Sequence, residues 1–169
     1  MNATNIANQF KDVCSQLAAG VTVVTAKNPE SKSGFHAMTA TAFMPLSLAP
    51  PLILVAIEKK NETHVLFNRG DRVFGVSLLA ENHSEISTRY AGKDPSRYGF
   101  EGIDTFFGPS GSVLVSGCAA AIEAEISDVH DAGDHSIFVG KVDWLEAFED
   151  KKPLVYWQRE YYSLVKTSK

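Results

Sequence analysis

The sequence lacks several features that mark large classes of protein. It holds only two cysteines, Cys14 and Cys118, and their wide separation in 169 residues favours reduced thiols over a disulfide framework. No apolar run approaches the ~20 residues of a membrane-spanning helix, since even the buried-looking run at 52–57 is short. Residues 1–9 are polar and lack the basic and apolar parts of a secretion signal. We therefore expect a cytoplasmic protein that does not associate with a membrane.

An excess of positive charge is also missing. The 16 Lys and Arg residues are outnumbered by 20 Asp and Glu residues, which gives a formal net charge of -4 and a pI near 5.7. Proteins that bind nucleic acid normally present a basic face to the phosphates. We expect no nucleic-acid partner.

The common nucleotide-binding motifs are absent as well. The chain contains neither G-x-G-x-x-G nor G-x-x-x-x-G-K-[ST], so a Rossmann fold and a P-loop are both unsupported. The segment at 108–112, GPSGS, is the nearest approach to a phosphate-binding loop, but Pro109 lacks a backbone N–H and no helix clearly follows. A plain surface loop is the favoured interpretation.

What the chain does contain is a series of short β-rich segments. The predicted strands are 21–26, 35–43, 52–57, 72–79, 121–129, 136–144, 154–157 and 161–165. Short helices are expected at 63–68 and 84–90, and 91–117 reads as loop. Many strands without regular βα alternation predict a mainly β fold, an antiparallel barrel or sandwich with a few flanking helices. The length fits a single domain over 1–169.

Two segments show clear periodicity. Near the start, Ile6, Phe10 and Val13 fall on one stripe at helical spacing, and Gly20 offers an end to that helix. In the strand at 121–129, the apolar residues Ile122, Ala124 and Ile126 are expected on one face and Glu123 and Glu125 on the other.

The segment at 37–43, AMTATAF, alternates small side chains and hydroxyls along a predicted strand. Such a surface lets a flat ring approach closely, with Thr39 or Thr41 adding a hydroxyl to the backbone polar groups. The competing interpretation is a strand whose small residues simply fit their neighbours. Taken alone, this second interpretation is favoured.

A second cluster of polar groups follows a buried strand. Ser47 and the segment at 58–63, EKKNET, supply hydroxyl, amide and cationic groups. If Asn61 or Glu62 opens a helix, its free N–H groups suit a phosphate, with Lys59 or Lys60 adding charge. The alternative is a solvated strand end, which the carboxylates of this segment favour.

The sharpest local feature is the segment at 130–135, HDAGDH. Two imidazoles and two carboxylates at a hairpin tip raise the question of a metal site. No further ligand cluster accompanies them, and Asp and Gly are ordinary turn residues, so we expect no metal. A third interpretation places His135 against a ligand as a hydrogen-bond donor or proton source.

Taken together and in order, these segments resemble the short-chain flavin reductases, a family that includes the reductase components of two-component hydroxylases of aromatic compounds. The resemblance runs roughly from residue 10 to residue 161. The segments that carry it are LAAGVTVVT at 17–25, MTATAF at 38–43, SL at 47–48, PPL at 50–52, FGVSLL at 74–79, GDHSIFVG at 133–140 and PLVY at 153–156.

The resemblance implies an antiparallel, Greek-key split β-barrel of the FMN-binding type that forms a homodimer. It implies an NAD(P)H-dependent flavin reductase, which transfers a hydride from NADH or NADPH to FMN or FAD. It further implies that the reduced flavin is supplied to a partner flavin-dependent monooxygenase.

The resemblance also implies roles for individual residues. Thr39, Ala40, Thr41 and Ala42 would line the isoalloxazine ring, and Ser47, Lys60, Asn61 and Thr63 would follow the ribityl and phosphate side. Arg89 would contact an anionic group, Asp134 and His135 would approach the nicotinamide with His135 as the catalytic residue, and Tyr161 would lie near the bound cofactors.

This chain departs from the common family pattern, with Ala37 where Gly is frequent, Ala42 where Ser is frequent, and Met44-Pro45 where Thr-Ser is frequent. Two rival functions stay open at this point. A flavin-binding electron carrier of the same fold would have no nicotinamide site and no need for His135. An interaction domain would bind no cofactor at all.

Overall fold

The computed structural model describes residues 3–92 and 99–167, with side chains from residue 6. Its helices are α1 (Ala3–Cys14), α2 (Glu62–Arg69) and α3 (Ser84–Ala91). Its strands are β1 (Ala19–Gly20), β2 (Thr22–Lys27), β3 (Phe35–Ala40), β4 (Phe43–Leu48), β5 (Pro51–Glu58), β6 (Val73–Leu78), β7 (Thr105–Phe107), β8 (Val113–Val115), β9 (Ala120–Ala132), β10 (His135–Ala147), β11 (Leu154–Trp157) and β12 (Glu160–Ser163). No helix within these described ranges has the length and apolar character to cross a membrane.

Seven of the strands form one antiparallel sheet in the order β3-β2-β6-β9-β10-β5-β4. The two edge strands of this sheet, β3 and β4, are consecutive in the chain and are joined by only Thr41 and Ala42. A connection of two residues leaves less than ~11 Å between the Cα atoms of Ala40, the last residue of β3, and Phe43, the first residue of β4. The sheet therefore has to curl until its two edges almost meet. The edges do not pair with each other, which leaves a seam. The predicted split β-barrel is confirmed.

The core inside the curled sheet is built on aromatic rings. The ring of Phe67, on α2, lies 5.0 Å from that of Phe74 and 5.1 Å from that of Phe138, measured between centroids. All three side chains are buried, and each such burial contributes about 2–3 kcal/mol to stability. These contacts fix α2 across β6 and β10.

The longest hairpin of the barrel joins β9 to β10 through Gly133 and Asp134. Gly133 has a φ of 64°, a left-handed conformation that glycine adopts without steric cost. The backbone N–H of Lys59 donates to the carbonyl of Asp134, so the segment after β5 holds this tip.

A second sheet, β1-β11-β12, packs beside the barrel and holds the end of α1. In the β11–β12 turn, Gln158 and Arg159 both have positive φ, 49° and 68°. The backbone N–H of Gln158 donates to the carbonyl of Ser15, and the Arg159 guanidinium donates to Asp12. This turn therefore ties the chain just after α1 to the second sheet.

Several sequence-based expectations are wrong in detail. Helix α1 ends at Cys14 rather than near Gly20. The strand expected at 35–43 is two strands, since the chain bends at the seam, and the loop expected at 91–117 contains the paired strands β7 and β8. The helix expected from the apolar stripe near the start is present, and that stripe is exposed, with exposed fractions of 55% for Ile6, 65% for Phe10 and 70% for Val13.

Glu123 also departs from its expected position. Ala124 and Ile126 are buried and Glu125 is exposed, as the alternation predicts, but Glu123 is fully buried too. Its carboxylate accepts the backbone N–H groups of Ser110 and Ser112, each at 2.7 Å. The loop at 108–112 thus binds an anion, which is a carboxylate of the chain itself.

Candidate active site

The segment expected to meet a flat ring lies along β3 and across the seam. Thr39 is half-buried, and its hydroxyl donates to the carbonyl of Ser87 at 2.7 Å. Ala40 points into the barrel core and is 6% exposed, whereas Thr41 and Ala42 are exposed at the seam. Thr39 and Ala40 therefore face opposite sides of β3, and Thr41 and Ala42 lie at the bend between β3 and β4.

A cavity of 370 Å³ lies between β3, the start of α2 and the end of α3, and we call it the β3–α2 cavity. It brings together three of the predicted cofactor residues, Thr39, Lys60 and Asn61. Its other lining residues are His36, Ala37, Met38, Glu58, Glu62, Tyr90, Ala91 and Gly92. Its volume lies within the ordinary range of small-molecule sites, 300–1,000 Å³ in rough terms.

A second cavity, of 280 Å³, lies at the seam, and we call it the seam cavity. It is lined by Thr41 and Ala42 together with the end of α1 and the β11–β12 turn. The residues from those two segments are Cys14, Ser15, Leu17, Ala19, Tyr156, Trp157, Gln158 and Arg159. Of the four predicted ring-lining residues, Thr39 lines the β3–α2 cavity and Thr41 and Ala42 line the seam cavity, whereas Ala40 lies in the core and lines neither.

The start of α2 carries the groups predicted to hold a phosphate. Asn61 caps the helix, since its side-chain oxygen accepts the N–H of Thr63 at 2.9 Å. Thr63 is fully buried, and its hydroxyl oxygen has no hydrogen-bond partner within the described part of the chain. Lys60 is exposed and lines the β3–α2 cavity, so it is the cation best placed for an anionic ligand.

A buried imidazole closes one wall of the same cavity. His36 is 3% exposed, and its Nδ1 lies 3.5 Å from a carboxylate oxygen of Glu62. Burial lowers the pKa of His36, and the negative charge of Glu62 opposes that shift. Asn28 donates to the other oxygen of Glu62 at 2.9 Å. These contacts turn part of the Glu62 charge away from the cavity and towards polar partners.

At the tip of the β9–β10 hairpin, the ring of His135 is held by its neighbour. Its Nδ1 lies 2.8 Å from a carboxylate oxygen of Asp134, and this hydrogen bond is the main reason that the pKa of Asp134 falls below its usual value. Because the carboxylate accepts, Nδ1 carries a hydrogen and Nε2 faces away. The side chain of His135 is 45% exposed, so its ring is accessible to a ligand.

Helix α3 connects two other predicted residues through Ser87, which sequence reasoning missed. The hydroxyls of Ser87 and Tyr161 lie 2.8 Å apart, while the Ser87 carbonyl accepts from Thr39. Ser87 and Tyr90 are the buried residues of α3 and are three positions apart, so helical spacing was a signal that could have found both.

The remaining predicted residues lie outside these cavities. Arg89 donates from its guanidinium to the carbonyls of Gly99 and Glu101, each at 2.8 Å, so it fastens the segment that follows α3. Ser47 is half-buried on β4 beside an irregularity in the pairing with β5. The structure does not bring Arg89 or Ser47 to the lining of either cavity.

The residues present fit a flavin nucleotide. The β3–α2 cavity offers an exposed ammonium, an amide and a hydroxyl, which suit the polar chain and phosphate of such a ligand. The seam offers small side chains beside aromatic ones, which suit a flat ring. Within 3–92 and 99–167, no group of three or more His, Cys, Asp or Glu side chains is arranged to hold a metal ion.

Comparison with known proteins identifies the protein family to which this chain belongs. Residues 14–165 match the family described as the flavin reductase like domain. The chain belongs to the flavin reductase-like family, and the resemblance found in the sequence is confirmed.

Individual relatives of the chain have named activities. The chain is 38% identical to the reductase component of 4-hydroxyphenylacetate 3-monooxygenase from Thermus thermophilus, over 92% of this chain and 95% of that protein. It is 33% identical to an NADH-dependent flavin reductase from a Rhodococcus species, over 92% and 85% of the two chains. The solved structure of the Streptomyces globisporus NADH:FAD oxidoreductase SgcE6 in complex with NAD and FAD fragments superposes with a TM-score of 0.89, at 25% identity, over 100% and 99% of the two chains.

These findings confirm the predicted enzyme class, a nicotinamide-dependent flavin reductase with a flavin and a nicotinamide nucleotide as its cofactors. They leave open which residues of this chain hold each nucleotide.

Proposed function

We propose that this chain holds a flavin nucleotide across the seam, with its ring in the seam cavity and its phosphate side in the β3–α2 cavity. The observation that carries this proposal is the meeting of Thr39, Lys60 and Asn61 on one cavity, next to the exposed Thr41 and Ala42. Lys60 supplies positive charge to the phosphate, and Asn61 orders the first turn of α2 beside it.

The nicotinamide is presented to the flavin by the tip of the β9–β10 hairpin. When both nucleotides are bound, a hydride passes from the reduced nicotinamide to the flavin, which carries the electronic chemistry. The contribution of the chain is orientation. Asp134 fixes the ring of His135, whose Nε2 contacts the nicotinamide, and the small side chain of Ala42 permits the close approach that transfer needs.

The reduced flavin then passes to a separate monooxygenase component in the cytoplasm. The support for this destination is the identity with a relative named as a monooxygenase reductase component. We also propose that the active form is a homodimer of one-domain chains. The exposed apolar stripe of α1 supports a second copy as its cover, since isolated proteins rarely leave a large apolar patch in water.

One assay separates this proposal from its rivals. Absorbance at 340 nm is followed for NADH and NADPH, each against FMN, FAD and riboflavin, and consumption of at least one nicotinamide is expected. Flavin binding without any consumption would indicate the electron carrier instead. Unchanged flavin fluorescence on addition of protein would indicate a domain that binds no flavin. Addition of a cognate oxygenase, with hydroxylated product as the readout, tests the destination of the reduced flavin.

The oligomeric state is tested by the molar mass in solution at several concentrations. We expect a dimer for the natural chain and a shift to monomer for Phe10→Glu, which places a charge in the middle of the α1 stripe. Lys11→Glu on the same helix is the control for charge alone. A monomeric natural chain would contradict the homodimer.

A further inference from the structure

His64 lies on α2, against the face of β10 opposite to His135. The ring of His64 meets that of Phe138 edge to face at a centroid distance of 5.4 Å, and its Nε2 lies 2.9 Å from the hydroxyl oxygen of Ser136. Ser136 directly follows His135, and successive residues of a strand face opposite sides. His64 therefore contacts the strand from behind, one residue away from the imidazole that faces the proposed nicotinamide site.

The direction of each hydrogen bond in this cluster is determined. The Ser136 hydroxyl donates to a carboxylate oxygen of Asp131 at 2.7 Å, and the pKa of Asp131 is lowered mainly by that bond. Ser136 has one hydroxyl hydrogen, so towards His64 it can only accept. His64 consequently carries its hydrogen on Nε2.

The other ring nitrogen of His64 agrees with this assignment. Nδ1 lies 3.4 Å from the side-chain nitrogen of Asn68, one turn further along α2. An amide nitrogen can only donate, so Nδ1 accepts, which agrees with a hydrogen on Nε2. The same Asn68 nitrogen donates to the carbonyl of His64 at 2.8 Å, which holds it in place.

The cluster fixes the hairpin tip from two sides. Asp131 and Ser136 are paired across β9 and β10, with Asp131 two positions before Gly133 and Ser136 one position after His135. The ammonium of Lys59 lies 3.4 Å from Asp131, and the backbone N–H of Lys59 donates to the carbonyl of Asp134. The tip that carries His135 is thus attached to α2 and to the segment that precedes it.

We propose that His64 is a positioning residue for the nicotinamide step. Through Ser136 and Asp131 it holds the β9–β10 tip so that His135 meets the nicotinamide at the right place. This inference rests on the proposed function, because it assigns His64 a task only if His135 faces that ligand. Ser136 is 1% exposed, so its hydroxyl is not accessible as a nucleophile, and we assign the His64–Ser136 pair a role in position alone.

The test compares two substitutions that both remove the ring. In His64→Gln, the amide nitrogen replaces Nε2 and keeps a donor for Ser136, whereas the shorter side chain of His64→Asn reaches only the place of Nδ1. Both variants lose the contact with Phe138. The rate of flavin reduction by NADH in a single turnover is expected to fall about tenfold in His64→Asn and to stay within about twofold of the natural rate in His64→Gln.

Three further measurements complete the test. The dissociation constant of the flavin should change less than about twofold in both variants, because neither His64 nor its partners Ser136 and Asp131 line either proposed flavin cavity. Ser136→Ala should reproduce the slow rate, and combining it with His64→Asn should add little, as expected for one connected unit. Val65→Ala is the control and should keep the natural rate, because Val65 is an exposed neighbour of His64 on α2 that lines the same surface groove as His64, Asp131 and Ser136.

Equal rates for His64→Gln and His64→Asn would overturn this inference, as would additive losses in the double variant. Failure of the proposed function looks different, since the natural chain itself would then consume no nicotinamide. The unfolding midpoints of the two His64 variants are measured alongside, and a slow His64→Asn that unfolds at the same midpoint as His64→Gln supports positioning over general loosening.

Discussion

The hydroxyl of Tyr161 lies 2.8 Å from the hydroxyl of Ser87, which joins the last strand of the second sheet to α3. Ser87 is fully buried, and its carbonyl accepts from Thr39, so one residue connects α3 to both β12 and β3. Two residues that the sequence assigned to cofactor binding therefore also fasten three elements around the β3–α2 cavity.

Tyr161→Phe removes this hydroxyl and leaves the ring. We expect the free energy of unfolding to fall by about 1 kcal/mol, because a partly buried hydrogen bond is lost and the buried hydroxyl of Ser87 loses its partner. Urea unfolding measures the change, and a single transition is expected for a one-domain chain. The control is Tyr162→Phe, whose hydroxyl bonds to Glu160 on the surface and should matter by less than about 0.5 kcal/mol. Equal losses in the two variants would contradict the assignment.

His135→Ala should slow NADH oxidation by about tenfold to a hundredfold while the flavin dissociation constant stays nearly unchanged, because the proposed role of the imidazole is to contact the nicotinamide and His135 lines neither flavin cavity. Steady-state rates at limiting NADH and flavin fluorescence titrations measure the two effects. His130→Ala is the matched control, since it removes an exposed imidazole from the same hairpin. A natural rate for His135→Ala at limiting NADH would remove His135 from the mechanism.

Lys60→Gln should weaken FMN and FAD by about fivefold to twentyfold and leave riboflavin almost unaffected, because only the phosphorylated flavins present an anion to the lost ammonium. Fluorescence titration with the three flavins measures this ratio. Lys141→Gln, on β10 six residues beyond His135, is the control for a change of net charge. Equal weakening of all three flavins by Lys60→Gln would exclude the phosphate role.

Glu123→Gln should lower the free energy of unfolding by about 2–3 kcal/mol, because Ser110 and Ser112 donate to different oxygens of the carboxylate and one of these becomes an amide NH2 group, which cannot accept. Thermal and chemical unfolding measure the loss. Glu125→Gln, two residues along β9 on the exposed face, should be within about 0.5 kcal/mol of the natural chain. If both substitutions cost the same, the buried carboxylate does not hold the loop.

Stability should fall as the pH is lowered from about 7 to about 5. Burial, and next the positive charge of Lys151, lower the pKa of His83 below its ordinary value of 6.5. The unfolded chain then takes up a proton more readily than the folded chain, so stability that is present above this value is lost as the pH falls below it. His83→Asn should show a smaller loss over this interval, measured by unfolding at each pH. His130→Asn, which changes an exposed ring, should keep the natural dependence.

Much of the barrel could be predicted from the chain because its strands follow local rules. Residues 21–26 and 52–57 are β-branched and apolar, and they form β2 and β5 nearly as expected. The hairpin tip requires a residue with a left-handed backbone conformation, and the glycine at position 133 predicts it. The bend at Thr41 and Ala42 could not be predicted in this way, because it arises from the curling of the whole sheet and no Gly or Pro marks it.

The site was harder to predict, because contacts between distant segments decide it. Local sequence identifies Lys60 and Asn61 as polar groups at the start of a helix, and the structure places both on one cavity. It cannot show that Arg89 is engaged with Gly99 and Glu101, since those partners lie on a segment without a regular pattern. The role of Ser87 depends in the same way on a residue 74 positions away.

The Glu123 carboxylate, which is bound by the loop at 108–112, restricts which insertions and deletions this loop can accept. Most exposed loops accept insertions and deletions, because only water satisfies their backbone groups. Here, a change in loop length would withdraw the two N–H groups and leave the Glu123 charge buried and unsatisfied. The loop and β9 can therefore vary only together, and an added or removed residue would be tolerated only if position 123 became uncharged at the same time.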